Sequence, residues 1–406
     1  MVTDELGLFN ERHSDYGRRR QPPPRRKRRR STGKRITIWL SVLVVLGLIG
    51  GGVWFGLTQV LGIDFGGYDD WSGAGEKDVI VEIPSGASTG GIASRLHEDG
   101  VVASTKAFTK AAEGDSRARG IQPGFYQLRS HVSGKDALSR MLAPDARKGQ
   151  LQLRAGLQFD DISKTDGSAE SGILSRLSKA SCAELNGKST CVTVDALRAA
   201  YANADLASLG VPDWAAPVAA KLEPNRRLEG LIMPGVYDVK PGSSAVELWR
   251  KLISESSAQL QALGMPAVAA DTGFTPYQVL IMASLIEREA IKNDFKKVSR
   301  VTYNRLEKGM KLEYDSTVNY VLDRPAIRTK PEDRGRAGAY NTYANNGLPP
   351  GPISAPSKEA IEAAAKPEAG PWLFFVRCQK DGTSCFAETA QQHEKNVKQA
   401  QDNGAY

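Results

Sequence analysis

The sequence predicts an α+β protein held behind one membrane-spanning helix. Three observations predict it. Residues 36–57 form an uncharged apolar run, and residues 78–148 alternate short strand and helix patterns. Residues 228–402 combine a long apolar helix with a strand hairpin near the end.

The chain has 406 residues with 54 Lys/Arg and 46 Asp/Glu, a net charge of +8. Residues 1–35 hold 12 of the basic and 4 of the acidic residues, which leaves 42 of each elsewhere. The excess positive charge therefore sits in one short tail. The rest of the chain has no basic surplus for a polyanion, so nucleic acid is not an expected partner.

The run from Ile36 to Leu57 is long enough to cross about 30 Å of hydrocarbon as a helix. Trp39 and Trp54 stand near its ends, where amphipathic rings favour the interface. Arg25 to Arg30, with Lys34 and Arg35, precede it. The positive-inside rule then puts residues 1–35 in the cytoplasm and everything beyond the span outside. A cleaved signal peptide is the rival, but the apolar run is too long and no small-residue cleavage site follows. The expected location is the cell membrane, crossed once, with lipid as a partner of that helix.

All four cysteines lie beyond the span, as the pairs Cys182/Cys191 and Cys378/Cys385. An oxidising outer compartment favours disulfides. Trp372 to Arg377 reads as a buried strand, and Asp381-Gly382 as a two-residue hairpin turn. That turn would set Cys378 opposite Cys385, within disulfide reach. The spacings do not match a zinc site, and no metal is expected.

Residues 58–77 read as a linker rich in Gly, Ser and Asp. Val79 to Ile83 is then a strand, and Ile92, Ala93 and Leu96 have helical spacing after a Ser88 or Thr89 cap. Ser104 opens a second helix through Phe108 and Ala111, Gly124 to Leu128 returns as a strand, and Ala137, Leu138 and Met141 mark another short helix. The order strand-helix-helix-strand over 78–148 resembles the LysM fold, which binds N-acetylated glycans. A small α+β spacer that binds nothing is the alternative. Residues 149–227 read as a variable insert carrying the first cysteine pair. Within it, Asn186-Gly187-Lys188-Ser189 lacks the glycine a phosphate loop needs at position 182, which is Cys182.

No Gly-x-Ser-x-Gly elbow and no His-Glu-x-x-His occurs, which argues against serine-hydrolase and zinc-peptidase chemistry. The chemistry is expected instead on a helix. Thr275, Pro276 and Gln278 form a capping box with proline at the first helical position. Leu280 to Ile286 is apolar almost all round, and Glu287-Arg288-Glu289 follows. Two glutamates two positions apart point about 200° apart. Glu289 extends the stripe of Met282, Leu285 and Ile286, while Glu287 continues Leu280, Ala283 and Ser284. Desolvation raises the pKa of a carboxylate on an apolar stripe, as a general acid requires. The structural alternative is a glutamate at a fraying helix end, paired with Arg288 or Lys292.

Met282 to Glu289 resembles the motif helix of the endolytic murein transglycosylases, the MltG or YceG-like family. The resemblance continues through Val301 to Leu306, Leu312 to Val318, Tyr340 to Tyr343 and Gly347 to Ile353, and ends near His393. It spans roughly residues 228–400 in the family's order. In that family the second glutamate of the motif is catalytic, which corresponds to Glu289, the residue the helix-face argument also selects. There are departures. Pro234-Gly235-Val236-Tyr237 stands where the family has Pro-Asp-Thr-Tyr, and Gly382-Thr383-Ser384-Cys385-Phe386 replaces Gly-Gly-His-x-Phe.

The resemblance implies a lyase that cuts peptidoglycan glycan strands, the β-1,4 bond between N-acetylmuramic acid and N-acetylglucosamine, and leaves 1,6-anhydro ends. It implies no metal or organic cofactor, and cell-wall synthases are candidate partners. The rival is a silent glycan-binding scaffold. Asn304, Asn341 and Tyr343 are expected either to contact sugar or to bond backbone within the fold. Asp315 is expected to cap a helix before Ser316-Thr317. His393 is expected to pack.

Overall fold

The computed structural model describes residues 67–164, 167–322 and 330–405. The expected membrane helix at 36–57 lies outside them. Among the described residues, no helix is long and apolar enough to cross a membrane. The fold is mixed α+β, built around two hydrophobic cores.

The smaller core belongs to the first segment. Strand β1 (Asp78–Ile83) alternates in burial and turns Val81 and Ile83 inward. Helices α1 (Thr89–Glu98) and α2 (Thr105–Glu113) follow, then β2 (Gly124–Arg129), α3 (Gly134–Met141) and β3 (Arg147–Lys148). Each helix starts at a serine whose hydroxyl accepts a backbone N–H left free by the first turn. Ser88 accepts from Gly91, Ser104 from Ala107 and Ser133 from Asp136. The buried faces are those the spacing predicts, including Ile92 and Leu96 on α1, Phe108 on α2 and Leu138 and Met141 on α3. β1, β2 and β3 form an antiparallel sheet in that order.

The larger core begins at β4 (Gln150–Leu153) and continues past the small β5–β6 hairpin (Ile162–Ser163 and Ala169–Glu170). Helix α4 (Ile173–Ala180), the β7–β8 hairpin (Glu184–Leu185 and Lys188–Ser189) and α5 (Val194–Ala202) complete the cysteine-bearing stretch. Residues 149–227, expected as a variable insert, pack into the larger core. Leu157, Phe159, Ile173, Leu177, Leu197 and Tyr201 lie in one core with Leu280, Leu285 and Ile286. β4 also pairs antiparallel with β9 (Gly235–Asp238). The stretch looks variable because its strands are two to four residues long, so each carries little periodic signal.

Asn186-Gly187, dismissed as a phosphate-loop remnant, is the two-residue turn of the β7–β8 hairpin. Both residues have positive φ, 52° and 75°, which an Asn-Gly pair adopts readily. Cys182 and Cys191 flank this hairpin and are bonded to each other. Asn186 exchanges hydrogen bonds with Asp78 on β1, so the hairpin docks on the smaller sheet.

Helices α6 (Ala245–Ala262), α7 (Pro276–Glu289) and α8 (Phe295–Glu307) follow, then the short α9 (Asp315–Asn319), α10 (Lys358–Ala365), β10 (Phe374–Arg377), β11 (Ser384–Ala387) and α11 (Ala390–Asp402). The capping box at Thr275 and Gln278 forms as expected, and every residue of α7 from Val279 to Ile286 is buried. Helices α8 and α10 pack against it.

The β10–β11 hairpin differs from expectation. Val376 faces Cys385 and Arg377 faces Ser384, so the register is offset by two from one that pairs 378 with 385. Residues 378–383 form a wider loop. The Asp381 carboxylate accepts the Thr383 N–H, and the Gly382 N–H donates to the Gln379 carbonyl. The Asp side chain thus organises a local turn ahead of the ladder. Cys378 and Cys385 are nonetheless bonded, with Cα atoms 5.6 Å apart, because the loop turns Cys378 back, its N–H on the Thr383 carbonyl, to within disulfide reach.

Candidate active site

Glu289 is the last residue of α7, at the point where the chain leaves the core. Glu289 is intermediate in exposure as a residue, while Ile286 and Ala290 beside it are buried. The Ser316 backbone N–H donates to Glu289 Oε1 at 3.2 Å. Burial pushes the Glu289 carboxyl above its ordinary value. The Ser316 N–H and the charge of Arg377 pull the other way, while the charge of Asp315 adds to the rise. Lys292, one partner of the fraying-end alternative, pairs with Glu359 instead.

Glu287 leaves the same helix end in a different direction and into a different role. Its Oε2 accepts both the N–H and the hydroxyl of Ser357, the N-cap residue of α10. The two glutamates part as their 200° separation requires.

Ser316 is held in place by the segment 341–343. The Thr342 carbonyl accepts from the Glu313 N–H, and the Thr342 hydroxyl accepts from the Tyr314 N–H at 2.9 Å. Glu313 has φ of 54°, a left-handed conformation that costs a non-glycine residue energy. The buried Arg305 clamps this bend by donating to the carbonyls of Lys311 and Leu312 and to the Glu313 carboxylate. Two motif segments distant in sequence are therefore one local structure.

Asp315 is not the helix cap it was expected to be. Tyr314 is the N-cap residue of α9 and makes no side-chain cap bond. The Asp315 carboxylate instead accepts from the Tyr343 hydroxyl at 2.6 Å and from the Arg334 guanidinium at 3.1 Å. Arg334 also lies over the Tyr343 ring, 4.9 Å from its centre.

Two expected sugar contacts have structural occupations. Asn304 donates to the carbonyls of Gly370 and Trp372. Asn341 is 3% exposed, donates to the carbonyls of Arg334 and Arg336, and accepts the Tyr343 N–H. Both amides are committed to the fold. Of the three residues, Tyr343 alone bonds a side chain next to the Glu289 site, the Asp315 carboxylate. His393 stacks on Phe374 with ring centres 5.3 Å apart.

The loop Gly347 to Pro352 is pinned to α7 and to Gly230. The Ile353 N–H donates to the Ser284 hydroxyl, and a Cβ on Gly230 would fall 2.4 Å from Pro352 Cβ. A concavity of about 610 Å³ opens beside this loop, lined by Phe274, Tyr277, Gln278 and Leu348. It belongs to the start of α7, and Glu289 does not line it.

A profile of the YceG-like family matches residues 81–399. The chain belongs to the YceG-like family. This YceG-like protein is 29% identical over 328 residues to the endolytic murein transglycosylase of Bacillus subtilis (strain 168), covering 79% of this chain and 85% of that one. It is 26% identical over 375 residues to the endolytic murein transglycosylase of Streptococcus pneumoniae serotype 2, covering 88% of this chain and 64% of that protein. A crystal structure of a yceG-like protein from Listeria monocytogenes superposes with a TM-score of 0.53 at 25% identity, over 79% of this chain and 99% of that one.

One buried acid escaped the sequence reading. Glu229 is 3% exposed and accepts from the Phe159 N–H and the Tyr320 hydroxyl. Burial pushes its pKa up to about 8. The signal was there: a lone glutamate among Leu228, Leu231, Ile232 and Met233.

Proposed function

We propose that this YceG-like protein is an endolytic peptidoglycan lytic transglycosylase with Glu289 as its catalytic acid and base. The observation that carries the reading is the Glu289 carboxyl. Burial biases it toward the protonated form at the end of α7, where the Ser316 N–H holds its Oε1. Glu289 protonates the glycosidic oxygen as the bond to N-acetylglucosamine breaks. It then accepts the proton of the muramoyl C6 hydroxyl, which attacks its own anomeric carbon and closes a 1,6-anhydro ring.

Ordinary glycosidases need a second carboxylate as nucleophile or water activator. Asp315 is the nearby acid, and Tyr343 and Arg334 hold its carboxylate. An internal hydroxyl nucleophile removes the need for it. Tyr343 is the residue best placed to stack on sugar. The uncharged run 36–57 anchors the enzyme in the membrane with its catalytic part outside, close to emerging glycan and to synthases. The segment 78–148 is a LysM-like glycan-binding unit. These last assignments rest on the sequence patterns.

The test uses the full chain in detergent with uncrosslinked glycan, and products are weighed by mass spectrometry. Anhydro ends, lighter by one water than hydrolytic ends, are expected from the parent and absent with Glu289→Gln. Reducing ends in their place would point to a water nucleophile.

A further inference from the structure

Arg288 and Arg377 both stand at the end of α7 where Glu289 lies, and the charge of Arg154 acts on Arg288. Arg288 precedes Glu289 on α7 and donates one N–H to the Gly156 carbonyl at 3.1 Å. Arg377, at the end of β10, reaches the Glu289 carbonyl at 3.4 Å and is exposed. Arg154 stands two residues before Gly156 and is paired with Glu170. Arg288 feels the charges of both other arginines.

Arg288 and Arg377 have no carboxylate partner among the described residues. Burial and repulsion from Arg154 and Arg377 lower the Arg288 pKa, against some support from Glu289 and Glu229. Those two acids are themselves pushed toward their neutral forms by burial. An arginine withdrawn from water usually meets a carboxylate, and a guanidinium fork suits a carboxylate in planar, two-point contact. Here the Arg288 fork, from the residue before the proposed acid, gives one N–H to a backbone carbonyl and none to a carboxylate among the described residues.

We propose that Arg288 and Arg377 receive a free carboxylate of the peptide stem carried by the muramoyl sugar being cut. The proposal rests on the lytic reading of Glu289 and extends it to substrate choice. The preferred strand carries charged stems, and neutral-stemmed glycan is a poor ligand. Arg154, neutralised by Glu170, tunes the field without making the contact.

Binding tests this apart from cleavage. The full chain carrying Glu289→Gln is held in detergent micelles. It is titrated with stem-bearing glycan freed of its lipid pyrophosphate, either untreated or with stem carboxylates converted to methylamides. One charge-assisted bond at the half-buried Arg288 with a weaker one at the exposed Arg377 predicts about tenfold to a hundredfold tighter binding of the untreated glycan at low salt. Adding Arg377→Gln or Arg288→Gln should bring that ratio toward one, while Arg288→Lys keeps part of it. The exposed Arg377 serves if Arg288→Gln misfolds. Equal affinity for both glycans, or a ratio untouched by Arg377→Gln, overturns the proposal. Failure of the parent to make anhydro ends would sink the lytic reading without altering a measured difference in affinity.

Discussion

The Glu287 carboxylate accepts both the N–H and the hydroxyl of Ser357, 70 residues further along the chain. That bond ties the end of α7 to the start of α10 and separates a structural glutamate from the proposed catalytic one two residues later. The separation can be measured. Glu287→Ala should lower stability by about 2 kcal/mol, the loss of hydrogen bonds to a charged group. Glu289→Gln should melt no lower than the parent and lose at least about a hundredfold in rate. Thermal melts read beside the product assay check both. The reverse pattern would assign the chemistry to Glu287.

Asp315 raises the Glu289 pKa through its charge. A general acid works only while protonated, so activity should fall as pH rises through that pKa. Asp315→Asn removes the negative charge and lowers the Glu289 pKa. The alkaline limb of the kcat/KM profile should then move to lower pH. An unmoved limb would mean that Asp315 does not act on Glu289 electrostatically.

Glu229 should make stability pH-dependent. Its pKa rises from an ordinary 4.5 to about 8 on folding. Between those values the unfolded chain has lost the proton that the folded chain keeps. Stability therefore declines with rising pH across that window, at up to about 1.4 kcal/mol per pH unit from this one group. Glu229→Gln stays neutral in both states and should flatten the decline. Denaturant midpoints from pH 5 to 8 for the two proteins would show it, and parallel curves would refute it.

The Cys378–Cys385 bond closes a short loop, and its removal should cost about 2–3 kcal/mol. The ladder should survive, because the Ser384 N–H also donates to the buried Asp294 carboxylate at 2.7 Å. Mass mapping should find Cys182–Cys191 and Cys378–Cys385 intact, with no crossed pairs. Hydrogen exchange after reduction should quicken around residues 378–383 and little elsewhere. Global unfolding on mild reduction would contradict this.

Much of the chain could be read without a fold because its signals are local. Capping depends on neighbours three positions apart, so the starts of α2 and α7 were visible at Ser104 and Thr275, and that of α1 at Ser88 or Thr89, of which the structure uses Ser88. Helical periodicity alone put Glu289 on the apolar stripe and Glu287 off it. The tertiary structure decided what depends on distant partners. Asp315 looked like a cap until Tyr343 and Arg334 came to its carboxylate, and Asn304 and Asn341 suited sugar or backbone equally until their amides met backbone carbonyls. The hairpin register turned on a loop organised by the Asp381 side chain, and the stretch 149–227 joined the core through β4–β9 pairing. The physical reason is the same in each case. A side chain's hydrogen-bonding capacity is set by its residue type, but the partner that fills it is chosen by chain segments that only folding brings together.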